Sequence, residues 1–272
     1  MNLFEKQANE FARRHIGSNE AETRQMLSGI GIKTLDELID KAIPASIRNL
    51  KSLHVTEAVS EAEYLELIHE IAARNLVFKN YIGQGYYDTI TPSVILRNVF
   101  ENPGWYTQYT PYQAEISQGR LESLLNFQTV VSDLTGMPLA NASLLDEATA
   151  AAEAMIMFFN QKNRDHQHIS VSKFFVDRAI FKQTRDVIVT RAEPLGIELV
   201  TGDYTKARID ETFFGAIVQY PNSEGNIPDY RSFIRNVQSA GGFVVMATDL
   251  LALTLLIPPG ELGADVAIGS AQ

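Results

Sequence analysis

The sequence predicts an α/β protein in which a mainly parallel sheet flanked by helices follows a helical amino-terminal arm. The first observation is alternation beyond the Ala-rich run Ala148 to Met157. Short apolar runs, His168 to Val171, Ile197 to Val200, Phe214 to Val218, Phe243 to Ala247 and Asp265 to Ile268, are separated by helix-length segments such as Pro228 to Ser239. Val- and Ile-rich runs without polar alternation suit strands buried on both faces, and their alternation with helices implies right-handed crossovers between parallel strands. The second observation is that the chain up to about Phe78 has the spacing of short helices, three and four residues along Phe4, Ala8, Phe11, Ala12 and His15. The expected division is therefore a helical arm over 1–78 and a large α/β domain over 79–272.

Local signals justify the elements in order. Thr34 stands three residues before Glu37 and Ser60 three before Glu63, and each pair is a capping box in which the hydroxyl accepts an early helix N–H. Helices should begin at both. From Tyr81 to Gly119 the composition turns to Gly, Tyr, Thr, Pro and Gln and includes the only tryptophan, Trp105. A short helix is expected inside this stretch, capped by Thr91 with Pro92 at its first position and ended by Asn102-Pro103-Gly104. A helical period returns through Leu121, Leu124, Leu125, Gln128, Val131 and Leu134 and is stopped by Gly136 and Pro138. Ala148 to Met157 forms the next helix.

Composition excludes several functions. With 45% hydrophobic and 21% charged residues the chain of 272 can bury a core. A net charge of -10 argues against nucleic-acid binding, which needs clustered Lys and Arg. The absence of Cys excludes disulfides, a thiolate nucleophile and Cys-ligated metal, and is consistent with a reducing compartment, so cytoplasm is the expected location. No uncharged run reaches the roughly 18 residues of a membrane span, and the charged start is unlike a signal peptide.

Motifs narrow the field. Gly29-Ile30-Gly31 and Gly83-Gln84-Gly85 lack the third glycine and the strand-to-helix setting of a dinucleotide site. His166-Gln167-His168 beside Asp165 has no third ligand at a suitable spacing and reads as a solvated turn, with no metal expected. No G-x-S-x-G elbow occurs. Two features remain. The run from Tyr106 to Arg120 packs Tyr, Thr, Gln and Glu densely, as binding loops do. The segment Phe243 to Asp249 is a buried strand running into an acid at its carboxyl end, the edge at which open α/β sheets bind ligands. An acid there can pair with a pyridinium nitrogen, although a helix cap is the commoner use of such an Asp.

Arg14-His15-Ile16-Gly17, Tyr81-Ile82-Gly83-Gln84-Gly85-Tyr86-Tyr87, Asn102-Pro103-Gly104-Trp105-Tyr106-Thr107, the run Tyr109 to Glu122, Asn141-Ala142-Ser143-Leu144-Leu145-Asp146-Glu147 and Pro258-Pro259-Gly260 occur in that order. Together they resemble the P-protein of the glycine cleavage system (glycine dehydrogenase, decarboxylating), amino-terminal part. The resemblance implies the type I pyridoxal-phosphate transferase fold, here truncated, since the chain stops at Gly269-Ser270-Ala271-Gln272 without the usual carboxy-terminal small domain. It implies that glycine is decarboxylated through pyridoxal phosphate and that the aminomethyl group passes to the lipoyl arm of the H-protein. Implied partners are the carboxy-terminal half or subunit, the lipoylated H-protein and a dimer mate.

The Schiff-base lysine belongs to the other half in this family, and no lysine follows Lys206 here. No catalytic residue is therefore expected in this chain, and no cofactor is expected bound to it. Asp146 and Glu147 stand where a phosphate loop would be, and two carboxylates repel a phosphate. Asp249 is accordingly read as the relic of a cofactor-pairing acid. Tyr86, Tyr87, Tyr106, Tyr109, Thr110, Tyr112, Gln113 and Glu115 are the candidates for a substrate channel shared with the cofactor-bearing half. A non-catalytic scaffold that docks the H-protein is the alternative, and an unrelated pyridoxal-phosphate decarboxylase or aminotransferase fits the Tyr109 to Glu122 run less well.

Overall fold

The computed structural model describes residues 2–49, 51, 53–106, 114–141, 143–164 and 171–271, without the side chains of 4, 8, 13, 105, 106 and 114–120. The chain divides into two compact units, Met1–Lys79 and Asn80–Gln272.

In the first unit the apolar spacing near the start forms two helices, α1 (Leu3–Ala8) and α2 (Glu10–His15), interrupted at Asn9. Asn2 with Glu5, and Asn19 with Glu22, form reciprocal capping boxes at α1 and at α3 (Glu20–Gly29). Thr34 caps α4 (Leu35–Ala42) by accepting from Glu37 N at 3.1 Å, while the Glu37 carboxylate accepts from Lys33 N rather than from the cap residue. Ser60 and Glu63 complete the full box at α5 (Glu61–Ala72). Among the described residues of this unit only Leu27 is buried, and Tyr64, Leu65, Leu67, Ile68 and Ile71 of α5 are exposed.

The second unit opens with a bend and short helices. Thr91 does not cap the expected helix; α6 (Ser93–Ile95) starts after Pro92 and runs into a π-helical turn over Leu96–Phe100. Asn102-Pro103-Gly104 ends that turn but also starts α7 (Pro103–Tyr106), because the Asn102 carboxamide oxygen accepts from Gly104 N and Pro suits a first helical position. Then come α8 (Ala114–Thr135), closed by Gly136 at φ +67°, and α9 (Glu147–Asn163).

The sheet has five strands in the order β2-β1-β3-β4-β5, all paired in parallel. They are β1 (Lys173–Asp177), β2 (Glu198–Gly202), β3 (Phe213–Tyr220), β4 (Phe243–Thr248) and β5 (Val266–Ile268). The strand expected over His168 to Val171 falls mostly outside the described residues. Residues 165–170 lie outside the described residues, Val171 is not in a strand, and the paired segment is Lys173–Asp177. There the apolar centre Phe174-Phe175-Val176 is bracketed by charges, which hid it.

Both faces of the sheet are covered, which is why the strands are apolar without alternation. One face, with Phe174, Val176, Phe214, Val245 and Ala247, packs on α9 through Ala151, Met155, Phe158 and Phe159 and on Ile188 of α10 (Lys182–Ala192). The other, with Phe175, Ala216, Val218, Val244 and Met246, packs on Phe233, Ile234 and Val237 of α11 (Arg231–Ser239). A short helix α12 (Pro259–Leu262) precedes β5. Small Ala side chains let α9 approach the sheet closely, and the carboxyl ends of β3 and β4 come together at its first turn.

Candidate functional site

Three chain reversals meet at that edge. β4 ends at Thr248 and Asp249 follows; β3 ends at Tyr220, with Gln219 paired opposite Ala247. Asp146 caps α9 by accepting from Thr149 N at 2.7 Å, and that bond holds its carboxyl below the usual range. Its neighbour Glu147, the first helical residue, turns inward and is half-buried. The Thr184 hydroxyl of α10 donates to Glu147 Oε1 at 3.4 Å, and the Gln219 side chain also hydrogen-bonds the Glu147 carboxyl. Burial, more than any other cause, pushes Glu147 up to about 7 against those two bonds, and the charges of Asp249 and Asp146 push the same way.

Asp249 is held from two sides. Tyr87 Oη donates to Asp249 Oδ2 at 2.6 Å, and Ala252 N donates to Oδ1 at 2.8 Å. The short bond to Asp249 holds the Tyr87 proton, so that the phenol is pushed up to about 12. Tyr87 is placed by a tight bend in which Tyr86 N donates to Gly83 O at 3.0 Å and Gln84 takes φ 59°. Gln84 Nε2 donates to Ser223 O and Gln183 Nε2 to Gln84 O, pinning the bend to the sheet edge, while Gly85 lies against the Phe181 ring. Between these groups lies a narrow cavity of about 20 Å³, lined by Tyr87, Glu147, Phe181, Gln219, Thr248 and Asp249 among others. That is room for about one water.

A larger open cleft of about 460 Å³ lies at the ends of β1 and β2, lined by Asp177, Asp203, Tyr204, Asn222 and Glu224, with Arg178 paired to Asp203 at 3.3 Å. Buried Asp177 accepts from Tyr204 N there, and desolvation raises its carboxyl. No membrane-length apolar helix and no metal-ligating cluster occur among the described residues.

The profile of the glycine cleavage system P-protein family matches residues 13–272. The chain belongs to this family. A glycine dehydrogenase (decarboxylating) of Nostoc sp. strain PCC 7120 is 54% identical over 265 residues, covering 97% of this chain and 26% of that protein. One from Bacteroides fragilis is 53% identical over 259 residues, 95% of this chain and 27% of that protein. The chain thus spans about a quarter of the length of these curated relatives. A solved glycine decarboxylase (P-protein) of the glycine cleavage system, in inhibitor-bound form, superposes with a TM-score of 0.82 at 30% identity, over 94% of this chain and 58% of that one. The parallel sheet with helices on both faces is that of the pyridoxal-phosphate transferases.

The residues of this P-protein chain do not fit pyridoxal phosphate. A ring-sized ligand needs a pocket on the order of 300 Å³, whereas the cavity beside Asp249 measures about 20 Å³. The start of α9, where a phosphate would use free N–H groups, carries the inward carboxyl of Glu147. Both oxygens of Asp249 already have donors, and the Lys182 ammonium beside Phe181 pairs with Asp186.

The structure brings Tyr87 to Asp249 and leaves Tyr86 in the same bend, half-exposed at the surface with 53% of its area accessible. Tyr106 ends α7 and Glu115 lies in the first turn of α8, but their side chains are outside the described residues, as are Tyr109, Thr110, Tyr112 and Gln113 altogether. Sequence reasoning missed the inward turn of Glu147 and its partners Thr184 and Gln219. Gln219 was the findable one, because it is a lone amide in the apolar run Phe213–Tyr220, and a buried polar side chain in a two-faced strand calls for a partner.

Proposed function

We propose that this chain is a non-cofactor-holding part of a P-protein whose complete form decarboxylates glycine through pyridoxal phosphate held by another part of the enzyme. The aminomethyl group then passes to the lipoyl arm of the H-protein. The observation that carries the reading is the occupation of the sheet edge: Glu147 fills the start of α9 and Tyr87 satisfies Asp249. This chain's contribution is to hold a binding surface, with Tyr106, Tyr109, Thr110, Tyr112, Gln113 and Glu115 lining a substrate channel shared with the cofactor-bearing half. Orienting donors suit such a role, because decarboxylation is fastest when the scissile bond stands perpendicular to the cofactor ring, and positioning is what the protein adds to cofactor chemistry. The partners are the cofactor-bearing half, a dimer mate and the H-protein, and the compartment is the cytoplasm.

Changing Tyr109→Phe, Gln113→Ala or Glu115→Gln in a complete enzyme tests the channel. Glycine-dependent carbon dioxide exchange should fall at least about tenfold, equivalent to roughly 1.4 kcal/mol of transition-state stabilisation, with melting temperature and cofactor absorbance unchanged. Unaltered exchange with weakened H-protein association would instead favour the docking scaffold.

A further inference from the structure

We propose that the open cleft at the carboxyl ends of β1 and β2 is a binding site for a small organic cation, an amine bearing one or more ammonium groups. The cleft shares no lining residue with the cavity beside Asp249, so the inference stands whichever reaction the complete enzyme performs.

Topology places the cleft. From β1 the chain crosses through α10 to β2 on one side, then returns past β1 to β3 and crosses through α11 to β4 on the other. α10 packs on one face of the sheet and α11 on the opposite face. The direction of winding therefore reverses between β1 and β3, and the connections part at the carboxyl ends of these strands. Open parallel sheets take their ligands in that crevice. Here it holds about 460 Å³, and a small-molecule site takes on the order of 300 Å³. Its walls come from the segments that follow β1, β2 and β3, with Asp177 and Arg178 from the first, Asp203 and Tyr204 from the second, and Asn222 and Glu224 from the third.

The polar groups of those walls select the ligand. Asp177 ends β1 and is 1% exposed. Its Oδ1 accepts from Tyr204 N at 3.3 Å, but Oδ2 is buried without a hydrogen-bond partner among the described residues. Arg178 N, the next donor along the chain, already donates to Gly202 O at 2.8 Å. Burial accordingly outweighs the backbone N–H groups of Tyr204, Arg178 and Ala179 and raises the Asp177 carboxyl, with the charge of Asp203 acting the same way. A buried acceptor left unmatched is costly, and a charged donor seated in the cleft removes that cost.

The one cation of the cleft is already engaged. Arg178 Nη2 pairs with Asp203 Oδ2 at 3.3 Å, and Asp203 Oδ1 accepts from the N–H and hydroxyl of Thr205. Glu224, on the exposed rim, brings a third carboxylate, so three negative charges face one positive. The rim is fixed in place, because Glu224 N and Asn226 N donate to Asn222 Oδ1 at 3.0 and 2.9 Å. An anion is repelled from such a surface. Among the described residues no three acids converge as metal ligands, whereas acids spread around a cleft of this size suit a cation extended over several atoms.

The test is a titration of the 272-residue chain with 1,4-diaminobutane, followed by amide NMR in about 150 mM salt, which screens unspecific attraction to a net charge of -10. Saturable shifts confined to 177–179, 203–205 and 222–226, with half-saturation raised at least about tenfold in Asp177→Asn, support the site. Asp177→Asn keeps an oxygen for Tyr204 N, so that backbone bond survives. Shifts spread over the acidic surface, or the same half-saturation in Asp177→Asn, overturn the proposal. Acetate and magnesium chloride are titrated in parallel; saturable shifts of the same segments with acetate, or with magnesium at the half-saturation of the diamine, overturn the assignment to an amine. Should Asp177→Asn not fold, Glu224→Gln on the exposed rim decides the matter. Half-saturation should then rise about threefold, and an unmoved value overturns the site.

Discussion

Gly136 and Gly260 meet backbone to backbone, and a Cβ added to Gly260 would stand 2.1 Å from Gly136 O. Neither partner is a side-chain end that could swing away, so Gly260→Ala should cost about 2–4 kcal/mol in urea unfolding, at the upper end of overpacking effects. An unchanged urea midpoint would show that the approach relaxes. Glu147 makes a prediction in pH. Its folded value of about 7 lies above the ordinary 4.5, so the folded chain binds this proton more tightly than the unfolded chain. The contribution is therefore fully present below about 4.5 and is lost as pH rises through about 7. The difference corresponds to roughly 3 kcal/mol before solvent screening of a half-buried group, and an observed loss of about 1–2 kcal/mol is expected. Urea titrations at pH 5 and 8 should show the parent losing this stability relative to Glu147→Gln, and parallel behaviour of the two would count against the assignment. The motif that drew attention to Asp146 and Glu147 was legible as a pair of acids at a helix start. That one faces water and caps while the other turns inward was not, since side-chain direction depends on what α10 and β3 bring to the helix.

The helix α9 shows how much an element can be read from its own residues. Its Ala-rich core, Ala148 to Met157, was evident, and the structure extends it from Glu147 to Asn163 with Ala151, Ala152 and Met155 fully buried. Asp146→Ala removes the acceptor for Thr149 N and should cost about 1 kcal/mol in thermal or urea unfolding; no loss would mean that the first turn is held by packing alone. The hydroxyl caps at Thr34 and Ser60 were legible because a cap is a contact within four residues, although only Ser60 completes the reciprocal box. The β1 strand and the start of α7 at Pro103 were not. Pairing with β2 and β3 selects Lys173–Asp177 from a longer apolar neighbourhood, and Pro is as suited to starting a turn of helix as to stopping one.

Over the molecule as a whole, large apolar side chains stand exposed, among them Val77 at 98%, Ile90 at 96%, Leu255 at 90% and Leu145 at 86%. Apolar surface of this kind drives association, so sedimentation of this chain alone at several concentrations should show a rising average mass. A constant monomer would count against that expectation. Mixing the chain with pyridoxal phosphate, reducing with borohydride and mapping peptides should give no stoichiometric adduct; one lysine modified to completion would overturn the misfit read from Glu147 and Asp249. By itself the sequence determined the two-faced parallel strands, the capped helices and the family, because periodicity, caps and long ordered motifs are local properties of the chain. Only the tertiary structure decided what the sheet edge holds. Tyr87 and Asp249 are 162 residues apart, and Glu147 and Thr184 are 37 apart, so whether an acid pairs with a ligand, a phenol or its own proton depends on which distant segments the fold brings to it.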